Sequence, residues 1–134
     1  MRLSPDCVRD ILLVVEECEF NRPYTLDRLA EKLPAYSRDM LWYTCLKLGE
    51  ANFLNLETTH EMGSFHLSVY RILDLTYQGH EFLNGIRDAD RWANVKKIGS
   101  KLKDFSLHAI SAASKGFTDA LIDRFVPDAL KSLQ

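Results

Sequence analysis

The stretch FLNLETTHEMGSFHLSVYRILDL, residues 53–75, decides the fold. Two apolar-rich runs, FLNLE and FHLSVYRILDL, flank the polar tip TTHEMGS, which is the pattern of a β-hairpin. In the second run His66, Ser68 and Tyr70 alternate with Leu67, Val69 and Arg71, an imperfect period of two. Three helical segments precede this hairpin and one follows it. The order helix, helix, helix, strand, strand, helix is that of a winged helix, whereas the same chain without the hairpin would be a simple three-helix unit.

Upstream of the hairpin, Ser37 is placed to cap a helix with the sequence RDMLWYTCLKL, and Gly49 to end it. Before that, Thr25 caps LDRLAEKL, where Leu26, Leu29, Ala30 and Leu33 form one apolar stripe and Pro34 stops the helix. Ser4 followed by Pro5 starts the first helix, about residues 5–19, on which Val8, Ile11, Leu12, Val15 and Cys18 recur at helical spacing. The fold class predicted is mainly α with a small β-hairpin (α+β). A winged helix-turn-helix domain spans residues 1–87, and a C-terminal helical extension spans 88–134.

A chain of 134 residues makes one domain, or one small domain with an appendage, and leaves little room for a second core. Its three cysteines, Cys7, Cys18 and Cys45, form no C-x-x-C pair and fit a reducing compartment, as buried small hydrophobes. The first twenty residues have acids among and behind a short apolar run, unlike a signal sequence or a membrane span. A cytoplasmic protein without membrane contact is therefore expected. The net charge of −2 counts against a strong generic polyanion binder. The distribution is uneven: residues 1–20 are rich in Asp and Glu, while Arg87, Arg91, Lys96, Lys97, Lys101 and Lys103 crowd residues 87–103.

Downstream, LTYQGHEFLNGIRDADRW (residues 75–92) opens another helix. Thr76 is its side-chain cap, Phe82, Leu83 and Ile86 lie on its inner side, and Gly79 allows close packing of that helix against the wing. The longer run VYRILDLTYQGHEFLNGIRDADRWANVKK resembles an uncharacterised family of short bacterial and prophage proteins, domain-of-unknown-function family twenty-five thirteen. The family pattern is Leu-Thr-x-x-Gly-His-(Asp/Glu)-Phe-Leu, then Ile-Arg-Asp, then a tryptophan and Val-Lys-Lys. Leu75, Thr76, Gly79, His80, Glu81, Phe82, Leu83, Ile86, Arg87, Asp88, Trp92, Val95, Lys96 and Lys97 match it. The resemblance extends more weakly to ILLVVEE and WYTCLKLGEANFL, where Thr44 replaces a His and Asn52 a Gly. It implies a winged-helix fold, often phage-linked, and no activity.

His80 beside Glu81 invites an enzymatic reading, but a zinc-protease helix needs H-E-x-x-H, and Phe82, Leu83 and Asn84 follow instead. His60, His66 and His108 have no ligand spacing, and no G-x-S-x-G elbow, P-loop or dinucleotide glycine pattern occurs. No catalytic residue, metal or cofactor is assigned, the protein is read as a non-enzyme, and His80 as a satisfied structural histidine.

Projection of the third helix at 100 degrees per residue places Leu41, Thr44, Cys45 and Leu48 on its inner face. Asp39, Met40, Trp42, Tyr43, Leu46, Lys47 and Glu50 fall outside, with Arg38 at the margin. This face is apolar and mixed in charge, and the wing ETTHEMGS carries two glutamates and no Lys or Arg. The leading expectation, on the habits of prokaryotic winged helices, is a DNA-binding transcriptional regulator. The alternative is a non-enzymatic protein-binding winged helix, such as a phage or mobile-element protein that modulates a host defence protein. Candidate DNA- or partner-binding residues are Ser37, Arg38, Trp42, Tyr43, Leu46, Lys47, His60, Arg87, Arg91, Lys96 and Lys97.

In the extension, Asp88 or Asp90 starts a helix with Trp92, Val95 and Ile98 on one side and lysines on the other. Ser106 caps a further helix whose stripe is Leu107, Ile110, Phe117, Leu121 and Phe125, thinned by Ala109, Ala112, Ala113 and Gly116. One amphipathic helix cannot hide such a stripe alone, so a homodimer through this helix is expected, intramolecular packing being the alternative.

Overall fold

A computed structural model describes residues 1–60, 63 and 67–115. Its elements are α1 (Pro5–Glu16), α2 (Leu26–Lys32), α3 (Arg38–Glu50), β1 (Leu54–His60), β2 (Leu67–Leu75), α4 (Tyr77–Ile86) and α5 (Ala89–Leu102), with a further helical stretch over 107–115. They fall into two compact units, Met1–Asn84 and a second that begins at Gly85.

The first unit is a winged helix-turn-helix, and its helices start where short polar side chains satisfy the first free backbone N–H groups. Ser4 Oγ accepts from Cys7 N at 3.4 Å, Thr25 Oγ1 from Arg28 N at 3.2 Å, and Ser37 Oγ from Met40 N at 3.1 Å. Pro5 follows the first cap, where a missing N–H costs nothing. α1 ends three residues before the expected 19. Glu17 N and Cys18 N bond back to Val14 and Val15 carbonyls three residues earlier, the tighter 3₁₀ geometry of a closing turn. Glu16, Glu17 and Glu19 also place negative charge at the negative end of the helix dipole, which disfavours continuation.

Gly49 does not end α3. The helix continues to Glu50, and the chain reverses at Asn52, which takes φ 62°. Gly49 serves packing instead: a Cβ there would lie 2.7 Å from Leu56 Cδ1, so a larger residue would make the end of that side chain shift.

β1 and β2 pair antiparallel, Leu54 opposite Leu75, Leu56 opposite Ile72 and His60 opposite Leu67, with register shifts after Asn55 and after Glu57. Thr58–His60 thus belong to β1 and not to the tip. A third, single-residue strand went unpredicted. Tyr24, between α1 and α2, bridges Ile72 through Tyr24 N to Ile72 O at 2.9 Å and Ile72 N to Tyr24 O at 2.8 Å. This inserts a strand after the first helix and completes the winged-helix order.

The core of this unit is Val8, Ile11, Leu12 and Val15 from α1, Leu29 from α2, Leu41, Cys45 and Leu48 from α3, and Leu54, Ile72 and Leu75 from the hairpin, all buried. Burial of each large aliphatic side chain contributes about 1.5–3 kcal/mol. Thr44 is also fully buried, and its hydroxyl donates to Met40 O at 2.6 Å, so no polar group is orphaned. Cys7 and Cys45 are buried as predicted, but Cys18 is only half-buried, its thiol 3.2 Å from Arg22 O.

α4 begins at a node in which every polar group has a use. Thr76 Oγ1 accepts from Gly79 N at 2.9 Å and donates to Asn52 O at 2.6 Å, while Thr76 N donates to Phe53 O at 3.1 Å. Gly79 lies so close that a Cβ would fall inside the Phe53 carbonyl, which is the close packing expected of this glycine, against the start of the wing rather than its tip. Phe53 and Phe82 stack with ring centroids 4.6 Å apart.

In the second unit Asp88 Oδ1 accepts from Arg91 N at 2.9 Å to start α5, and Ser106 Oγ accepts from Ala109 N at 3.1 Å to start the stretch at 107. Trp92, Val95 and Ile110 are buried. Gly85 approaches Ser114 so closely that a Cβ would collide with the Ser114 hydroxyl, so the first turns of the tail helix pack within their own chain. The remainder of the predicted stripe, Phe117, Leu121 and Phe125, lies outside the described residues.

Candidate interaction surface

α3 sorts its residues as the projection predicted: Leu41, Thr44, Cys45 and Leu48 are buried, while Met40, Trp42, Tyr43, Leu46 and Lys47 are half-exposed and Asp39 and Glu50 exposed. At 100° per residue, the ridge opposite the buried seam consists of Asp39, Tyr43, Leu46 and Glu50. Two acids bracket an aromatic and an aliphatic side chain. Trp42 and Met40 flank this ridge on either side.

The helix carries two cations, and both are engaged. Arg38 Nη1 pairs with Asp27 Oδ1 of α2, and Lys47 Nζ lies 3.0 Å from Glu50 Oε2 and 5.6 Å from the centre of the Tyr43 ring. The Glu50 carboxylate holds the Lys47 ammonium above the ordinary lysine range, chiefly through their hydrogen bond. Ser37 is consumed as the cap of α3. His60 ends β1, exposed, opposite Leu67. Of the remaining candidates, Arg87 and Lys97 are exposed in the second unit, Arg91 is half-exposed, and Lys96 Nζ sits 5.8 Å over the Trp92 ring. The structure therefore gathers Trp42, Tyr43, Leu46 and Lys47 on one helix face and leaves the α5 cations in a separate unit. Asp39 and Glu50 were not among the candidates; the same helical projection already placed them on the outer face.

His80, read from the sequence as a satisfied structural histidine, lies at the surface. Its side chain is exposed, as is that of Glu81, because the inner side of α4 is taken by Gly79, Phe82 and Leu83. Among the described residues no group of three or more His, Cys, Asp or Glu is placed to hold a metal ion. No helix among them is long and apolar enough to cross a membrane.

Residues 2–106 match the family model described as Hypothetical protein (DUF2513), which takes in the whole winged helix and all of α5. The chain is a member of the DUF2513 family. No curated protein and no solved structure matches it. Among the DUF2513 features of this chain, Thr76 and Gly79 form the node under the hairpin, and Asp88 caps α5. Both uses are structural, whereas the exposed His80 and Glu81 have no such role.

Proposed function

We propose that this DUF2513 member is a non-enzymatic, protein-binding winged helix that docks through the outward ridge of α3. The observation that carries this reading is the order acid, tyrosine, leucine, acid along the ridge, Asp39, Tyr43, Leu46 and Glu50. A helix seated in a DNA groove runs between two rows of phosphates, so outward carboxylates oppose it, and cations must be free to reach the backbone. Interfaces between proteins prefer an aromatic and aliphatic centre with a charged rim, which Tyr43, Leu46, Asp39 and Glu50 supply. The partner that fits presents an apolar pocket edged by Lys or Arg. A host protein acted on by a phage or mobile-element protein is the setting that this reading favours.

A DNA-binding transcriptional regulator is the second reading, and the observation in its favour is α5, where Arg91, Lys96, Lys97 and Lys101 stand against Asp90 alone. A cytoplasmic location agrees with three cysteines in no disulfide. Homodimerisation through the tail helix remains part of the proposal for the residues beyond 115, since the turns before them pack on Gly85 of the same chain.

Anisotropy titration against random duplex at about 50 mM salt separates the two readings, because backbone contacts are strongest there. The native protein is expected not to bind, and Asp39→Lys/Glu50→Lys to gain salt-dependent binding. Native binding that Lys96→Glu/Lys97→Glu abolishes would put the second reading first. A photo-crosslinking side chain at Tyr43 should yield one discrete protein adduct in the producing cell, lost with Leu46→Asp. No adduct above that of the same group at Lys97 would end the first reading.

A further inference from the structure

A cleft of about 520 Å³ opens in the first unit, where the end of α1 and the loop after it meet β2 and the first turn of α4. It shares no residue with the α3 ridge. Three carboxylates line it, Glu16, Glu19 and Asp74, against one arginine, Arg71, whose guanidinium Nε is held 3.3 Å from Glu57 of β1. Phe20 stands in the same lining with 90% of its surface exposed, the highest value of any large apolar side chain among the described residues. Leu73 and His80 also line the cleft.

An exposed aromatic face beside carboxylates suits a guanidinium. The ring attracts the cation through its quadrupole, the flat group stacks where an ammonium would not, and the carboxylates accept its forked N–H groups. Such a contact occurs within the chain, the Arg28 guanidinium carbon lying 4.6 Å from the centre of the Tyr24 ring. The negative field of the cleft is felt by the Cys18 thiol. Burial raises its pKa first, the Asp74 carboxylate adds to this and Arg28 opposes it, with Glu19 adding a smaller upward push. The two acids nearest Phe20 and Leu73 in sequence have local partners, Glu19 with Arg22 at 3.1 Å and Asp74 with the Asn55 amide at 2.7 Å, and Glu16 is not free either. Exposed contacts of that kind are weak and yield to a better-placed donor.

We propose that this cleft receives an arginine side chain of a partner polypeptide, with Phe20 stacked on the guanidinium and Glu19 and Asp74 accepting its N–H groups. The test is a titration of the full-length protein, followed by amide NMR shifts, with the peptide acetyl-Ala-Arg-Ala-amide and its citrulline counterpart, which keeps the shape and loses the charge. Saturable shifts at Glu19, Phe20, Leu73 and Asp74 are expected. The citrulline peptide and the variants Phe20→Ala and Glu19→Gln should each weaken binding about two- to fivefold, the worth of one exposed cation–π or charge-assisted contact. Both variants alter exposed side chains, so an otherwise unchanged spectrum confirms that they fold. Equal affinity for the two peptides, undiminished affinity in both variants, or no shift at these four amides at about 20 mM peptide would each overturn the proposal.

Discussion

At its root the hairpin belongs to the core, and at its far end it is surface. Leu54 and Leu75 face each other and are buried, as is Ile72, which also bonds across to Tyr24. Four to six residues further along β1, Thr58, Thr59 and His60 are all exposed, and Val69, opposite Thr58, is the buried residue nearest that end among those described. The same two strands thus do two jobs. What differs is the backing: at the root Phe53 stacks on Phe82 of α4 and Ile72 bonds to Tyr24, while Thr58, Thr59 and His60 are left to solvent. Strand character comes from pairing, and stability from what the paired strands rest on.

Substitutions along the hairpin measure that contrast. Ile72→Ala should cost about 2–5 kcal/mol, the range for a fully buried aliphatic truncation, read as a fall in the urea midpoint at constant slope. Gly79→Ala should cost about 1–3 kcal/mol, because the added methyl meets the Phe53 backbone rather than a movable side chain. Thr76→Ala removes the cap of α4 and the donor to Asn52 O together, for about 1–2 kcal/mol. Thr59→Ala should stay within about 0.5 kcal/mol of the native protein. A loss at Thr59 comparable to that at Ile72 would break the distinction between root and tip. The thiols sharpen the division of core and surface without touching stability. Burial pushes the Cys45 thiol up to about 12 and raises Cys7, so alkylation at about pH 8 should mark Cys18 alone in the native state, by mass spectrometry.

Local chemistry was the legible part of the sequence. Six helix starts, at Ser4, Thr25, Ser37, Thr76, Asp88 and Ser106, were readable because a cap is decided within four residues. The two faces of α3 were readable for the same reason, periodicity being a property of the segment itself. Features set by distant partners were not. One residue cannot display a period of two, so Tyr24 gave no sign of its pairing with Ile72. Gly49 looked like a helix terminator until Leu56 was seen against it. His80 was read as a satisfied structural histidine, yet its side chain is exposed while Phe82 and Leu83 take the buried side of the helix. The Arg38–Asp27 pair joins two helices at no fixed sequence spacing, so the loss of that cation from the candidate surface was visible only in three dimensions.

The bridge between Tyr24 and Ile72 has a consequence for the order in which the chain assembles. The helix caps and the β1–β2 ladder close short loops, but this pair joins residues on opposite sides of α2, α3 and most of the hairpin, so its loop closes at a larger entropic cost. Contacts of long sequence separation are slow to form and set the pace when the folding nucleus needs them. If the bridge forms after the rate-limiting step, Tyr24→Pro, which removes the N–H that donates to Ile72 O, leaves the refolding rate nearly unchanged and speeds unfolding. The single-residue strand would then act as a latch on the finished molecule, setting its lifetime more than its rate of formation.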